Sequence, residues 1–250
     1  MSIATLSDAS PAQDGRPSGG AGDVRSQFEH EIEVRTSELS QLATHLQDSV
    51  EAERSALAKE LHDELGGLIT AAKMDMAWLS TRIGASLDSA SDEKFRSVVQ
   101  MLNQAMTLKR RVVEALRPSL LDHFGLPVAL RSHLDENCGR AGLEYVATLP
   151  EETLDLPPAT QLALFRVAQE ALVGVLKRGT AKHVELVIEA EGEGYSLLFG
   201  DDGAGFDEAM DRALVGMRHR IQSAGGTLDV TALPGGQGNR IRVYVPRFPA

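Results

Sequence analysis

Apolar residues recur at spacings of three and four through the N-terminal part of the chain, and no proline interrupts residues 24–83. Leu39, Leu42, Leu46, Val50, Leu57 and Leu61 open the pattern, and Leu65, Leu68, Ala72, Met76, Leu79 and Ile83 continue it. This predicts one long helix, coiled-coil-like before residue 62 and bundle-forming after it. Arg35, Glu38, Glu51, Glu53 and Arg54 read as its solvated face. GASLDSAS, residues 84–91, supplies a turn, and a second stripe follows over residues 92–116 with Phe95, Val98, Val99, Leu102, Met106, Val113 and Leu116. That helix should stop near Pro118. A two-helix hairpin has too little partner surface to be stable alone, so a dimer forming a four-helix bundle is the expected solution.

Beyond Pro127 the pattern alternates. A helix to about Arg140 precedes LEYVATL, residues 143–149, whose branched and aromatic residues suit a strand. Residues 159–178 form a strongly apolar helix. Residues 183–203 read as two strands around the turn at 191–194, and residues 227–245 as two more around a glycine cluster. The expected fold class is therefore α+β, a dimeric helical-hairpin bundle followed by an α/β sandwich with helices on one face of a mixed sheet. The expected divisions are a flexible tail at 1–23, rich in Ser, Gly, Pro and Ala, a coiled-coil signalling helix at 24–56, a hairpin domain at 57–120 and the sandwich at 121–250.

A chain of 250 residues with 42% hydrophobic content can build a core for two domains. Its formal charge of −11 argues against a broad nucleic-acid surface, which needs clustered Lys and Arg. The start is unlike a signal peptide, and no run approaches the roughly 18 apolar residues that cross a bilayer, so a cytoplasmic protein without direct membrane insertion is expected. Cys138 is the single cysteine, which excludes an internal disulfide, and His30, His45, His123, His133, His183 and His219 show no zinc-ligand spacing.

His62 is the remaining histidine. It sits one step off the apolar seam, next to Asp63 and just ahead of Gly66 and Gly67. Each glycine costs roughly 1 kcal/mol against alanine in a helix interior, so the pair asks for a reason; bare backbone would let another protein surface approach the imidazole. Asp63 is placed to accept a hydrogen bond from one ring nitrogen, leaving the other as a nucleophile.

Four segments of the second half follow in order: QLALFRVAQEALVGVLKRG at 161–179, GDDGAGFD at 200–207, LVGMRHRIQSAGGTLDV at 214–230 and GGQGNRIRVYVP at 235–246. Together they resemble the nucleotide-binding boxes of the histidine-kinase ATPase domain, of the GHKL (Bergerat) type. The segment around His62 resembles the dimerisation and phosphoacceptor helix of the nitrate-sensor class of histidine kinases, and ALRPSLLDHFGLPVALRSHL at 115–134 resembles the join between the two domains. The resemblance spans residues 39–246. It implies autophosphorylation of His62 from ATP with Mg2+, Asp63 acting as orienting base, then transfer to an aspartate of a response regulator receiver domain. It also implies that Asp201 accepts a hydrogen bond from the adenine amino group and that Gly203, Gly205 and Gly216 let backbone approach the nucleotide. Spacing places Glu170, Val173, Gly174 and Lys177 on one helical face toward that ligand, with Glu170 as the metal ligand.

The same comparison marks departures. Gly174 stands where the family has a magnesium-holding asparagine, Lys177-Arg178 replaces a Lys-His pair, Ala213 replaces a glycine and Asn239 a threonine. Gly67 stands where members that dephosphorylate their regulator often carry glutamine. Three readings follow: a dimeric kinase core receiving its signal through the coiled coil, from an upstream sensor protein or a region outside this sequence; a phosphotransfer protein or pseudokinase with an impaired ATPase domain; and a non-catalytic dimerising scaffold or a serine-phosphorylating nucleotide-binding relative.

Overall fold

The computed structural model of the chain describes residues 20–83, 87–205, 207–233 and 237–248. It divides into two units, Met1–Ala43 and Thr44–Ala250. The tail expected at 1–23 lies outside the described residues as far as residue 19, and helix α1 spans Gly20–Glu60. The long helix is not uniform. A π-helical turn, Leu61–Leu65, follows α1, and α2 occupies Gly66–Ile83.

Helix α3, Ser89–Leu116, begins three residues before the apolar stripe required, because the Asp88 side chain accepts the backbone N–H of Ser91 at 2.8 Å and caps it. It packs on α2 as a hairpin, yet neither helix has a buried residue. Ile69, Ala72, Met76 and Leu79 are half-buried. Leu65, Leu68, Trp78, Met101 and Leu108 remain exposed. The single seam expected from sequence is therefore two faces: one meets α3 and the other, carrying Leu65 and Leu68, is unpartnered in the single chain.

Helix α4, Ser119–Ala141, starts earlier than the expected position after Pro127. Gly125 has φ 78° inside it, so a short first segment after Pro118 is joined to the expected one across a kink. Strands β1 (Glu144–Thr148), β2 (His183–Glu191), β3 (Gly194–Ala204), β4 (Thr227–Ala232) and β5 (Gln237–Pro246) form a five-stranded sheet in the order β1-β2-β3-β5-β4. β1 lies parallel to β2 and the other neighbours pair antiparallel. Val184, Leu186, Ile188, Leu197, Phe199, Ile241, Val243 and Val245 make its buried face. Helices α4, α5 (Pro158–Arg178) and α6 (Glu208–Ser223) cover that face.

The core helix is α5. Pro158 opens it where a missing N–H costs nothing, and Gly179, at φ 65°, closes it with an N–H bond to the Val175 carbonyl. It corrects the expectation that no run approaches membrane length: by length and composition α5 qualifies, but Leu164, Val167, Ala168, Ala171, Leu172 and Val175 are buried in the domain core.

Candidate functional site

His62 and Asp63 lie side by side in the π-helical turn, both exposed. Such widened turns concentrate at functional positions, since they re-aim side chains that a regular helix would stack. Among the described residues no hydrogen bond joins the two side chains; Lys109 Nζ donates to the His62 carbonyl at 3.4 Å. Beside the imidazole runs a groove of about 600 Å³, lined by Lys59, His62, Asp63, Val113, Arg117 and His123. Arg117 is held by Asp122, at 2.8–2.9 Å, and donates to Ser55. A nucleophilic ring nitrogen at the edge of an open groove can receive a phosphoryl group and hand it on.

The second cluster centres on Asp201, on β3, buried to 7% exposure. Its carboxylate accepts the Gly203 N–H at 3.0 Å and the Asn239 side-chain amide at 3.3 Å to each oxygen. Arg178 Nη2 approaches Oδ2 at 3.4 Å, with both side chains nearly excluded from water. The strands are held close here by Gly238, where a Cβ would stand 2.5 Å from the Asp201 carbonyl. Asp202, next along, points the other way. It accepts the backbone N–H groups of Lys182 and His183 and the His183 ring, so its carboxyl falls to about 2 despite a desolvation effect in the opposite direction.

The other expected nucleotide residues are less uniformly free. Gly205 and Gly216 have open space where a side chain would stand. Gly203 does not: a Cβ there would meet Thr180 Oγ1 at 2.9 Å and Ala181 Cβ at 3.1 Å, so protein packing alone requires the glycine. Glu170 accepts Arg220 Nη1 at 3.1 Å, and Lys177 is exposed near the end of α5. At Gly174 the vacated space is filled, since a Cβ would lie 2.0 Å from Met210 Cε and 3.4 Å from Arg178 Nη1. Among the described residues, Arg178 Nε and Nη1 and Asn239 Oδ1 are buried without partners. A buried carboxylate and two open glycines are groups that could face a nucleotide. The metal end lacks such groups: Gly174 offers no oxygen, Glu170 is neutralised by Arg220, and a methionine occupies the gap.

Sequence reasoning passed over Arg166, which looks like one more residue of an amphipathic helix. It is 1% exposed. Nε and Nη2 donate to the two oxygens of Glu51 at 2.9 and 2.7 Å, Nη1 to the Ala115 carbonyl at 3.1 Å and the Gln169 side chain at 2.7 Å, and Nη2 also to the Leu116 carbonyl at 2.7 Å. Every N–H of the guanidinium is used. α5 is thereby fastened to α1 and to the end of α3. Gln47, nearer the start of α1, donates to the carbonyl of Gly216 at 3.2 Å. The one signal in the sequence was a charge inside the apolar run Leu162–Ala168.

Residues 53–121 match a family model described as histidine kinase, HisKA_3. The chain is 30% identical over 235 residues to the signal transduction histidine-protein kinase/phosphatase UhpB of Salmonella typhimurium, covering 91% of this chain and 46% of that protein. It is 30% identical to the sensor histidine kinase MctS of Rhizobium johnstonii, covering 76% of this chain and 42% of that one. A histidine-protein kinase/phosphatase DegS of Bacillus subtilis is 29% identical, over 80% and 54% respectively. The chain spans about half the length of these curated relatives.

Proposed function

We propose, for a chain that belongs to the sensor histidine kinases of the nitrate-sensor class, that His62 accepts a phosphoryl group and passes it to an aspartate on a response regulator receiver domain. The observation that carries this is the exposed His62 on its π-helical turn, inside the matched family segment and at the edge of an open groove. In the first reading ATP is the donor, Asp201 and the open Gly205 and Gly216 serve the nucleotide, Asp63 orients the imidazole, and the reaction belongs to the cytoplasm. A homodimer goes with it, because the hairpin leaves Leu65, Leu68, Trp78 and Met101 exposed with no fully buried residue of its own. Dephosphorylation of the regulator by a water-positioning glutamine is not part of this reading, as position 67 is a glycine with nothing within 4 Å of its Cβ site.

A second reading is favoured by the occupied pocket. Arg178 and Asn239 engage Asp201, Met210 fills the space beside Gly174, and Arg220 holds Glu170. In that reading the ATPase-like domain is a docking element, and His62 takes its phosphate from a phosphorylated regulator. Labelled ATP with magnesium separates them. Acid-labile label on the wild type and none on His62→Gln supports ATP as donor; no label from ATP, with label from a phosphorylated receiver, supports phosphotransfer. Label persisting on His62→Gln removes His62 from both.

A further inference from the structure

The glycines after His62 play no part in the function above, and at Gly66 the structure supplies a reason for one of them. A Cβ at Gly66 would stand 2.8 Å from Nζ of Lys109. The lysine, half-buried and reaching across from α3, thus fills the place that a side chain at position 66 would take. Its Nζ also donates to the backbone carbonyl of His62 at 3.4 Å, so the ammonium is held against the backbone of the residue that carries the imidazole.

The surrounding charges leave this cation uncommitted. Lys59 and Asp63 line the groove from the acceptor helix, and Asp122 and His123 from α4. Arg117, at the end of α3, is paired with Asp122. Among the described residues no carboxylate lies within salt-bridge distance of Lys109.

We propose that Lys109 is a positioning residue for the phosphoryl group on His62: its ammonium, seated over Gly66, pairs with phosphoryl oxygens as the group arrives and leaves. This rests on His62 being the acceptor. A phosphoryl group carries between one and two negative charges near neutral pH, and transfer is favoured by cations fixed where that charge sits. A lysine serves as a compact point charge on a flexible stem. A side chain at position 66 would displace it.

Phosphoramidate tests this without ATP or a partner. A ring nitrogen of His62 attacks phosphorus, the P–N bond of phosphoramidate breaks, and ammonia leaves, taking up the imidazole proton as ammonium. The resulting phosphohistidine is followed by phosphorus NMR on the full chain, and its signal is identified as the one missing from His62→Gln. The second ionisation of the phosphoryl group should rise by about half a pH unit in Lys109→Met, the effect of one charge about 6 Å away in water-like surroundings. Loading should slow severalfold. Lys109→Arg should keep the wild-type ionisation, and Gly66→Ala, which moves the ammonium without removing it, should fall between. A lysine that merely braces the hairpin would leave the ionisation unmoved, so equal values in wild type and Lys109→Met overturn the proposal. If His62→Gln loses no signal, the acceptor reading itself falls and the proposal falls with it.

Discussion

Replacing Glu51 with alanine isolates the energetics of the Arg166 cluster. The substitution removes both carboxylate oxygens, at 2.7 and 2.9 Å, and leaves a guanidinium that is 1% exposed with three neutral acceptors and no anion. Breaking a buried pair by deleting one partner typically costs about 3–5 kcal/mol. Glu51 keeps 23% of its side chain exposed, so water can follow into the vacated space and the expected loss is nearer about 2–3 kcal/mol. An apolar pair, Glu51→Leu with Arg166→Met, removes both charges at once and should recover most of that loss, although the carbonyls of Ala115 and Leu116 are then left to water. Urea unfolding followed by far-ultraviolet circular dichroism measures both. A loss below about 1 kcal/mol for Glu51→Ala, or a double variant no better than the single one, would show that the cluster does not carry buried charge in the way described.

Three further outcomes follow from the same geometry. Gly174→Asn alone should not restore magnesium-dependent ATP binding, because its Cβ would meet Met210 Cε at 2.0 Å, whereas Gly174→Asn with Met210→Ala has room for the ligand oxygen; calorimetric titration with and without magnesium compares them. Charged residues at Leu65 and Leu68, exposed at 41% and 68% in the single chain, should yield monomers, and an unchanged sedimentation coefficient would refute the bundle. Burial first, then Arg140 and Arg166, depress His133 from 6.5 to about 4. The unfolded chain therefore binds the proton first, and this contribution to stability, complete above pH 6.5, should decline by about 3 kcal/mol on going down to pH 4. Unfolding free energies of His133→Gln should lack that component.

The elements were legible where one physical signal decided them. Strands β2 and β3, which flank the turn at residues 191–194, alternate largely with period two, and α5 carries an apolar face bounded by Pro158 and Gly179. The start of α3 was not, because its cap at Asp88 lies in a run that reads as a turn. The short first segment of α4 was hidden by Gly125 and Pro127, which both look like breakers, and only tertiary packing of Leu121 and Leu126 shows that the chain is helical on either side of the kink. Within the site, His62, Asp63, Asp201 and Glu170 were chosen from sequence by type and spacing. Their partners Lys109, Arg178 and Arg220 are distant in sequence or unusual for the position, and spacing carries no information about them.

The departures in the nucleotide-type pocket are coupled, which changes what any one of them means. Read singly, Gly174 is a lost ligand, Arg178 a conservative change of charge and Asn239 a swapped small polar residue. In the structure the missing side chain at 174 is what gives Met210 and the Arg178 guanidinium their room, and the guanidinium in turn meets the carboxylate that Asn239 also binds. Removing Arg178 alone would leave Asp201 with fewer donors in a nearly dry setting, and restoring the asparagine alone would require the buried Met210 side chain to move. The space beside Gly174 is filled by Met210 and the Asp201 carboxylate has its donors, while Arg178 Nε and Nη1 and Asn239 Oδ1 stay without a partner among the described residues. Because these contacts are shared, magnesium-dependent ATP binding should rise further when Gly174, Arg178, Met210 and Asn239 are changed together than in the double variant at Gly174 and Met210. A quadruple variant that gains ATP binding while the single ones do not is the result this coupling requires.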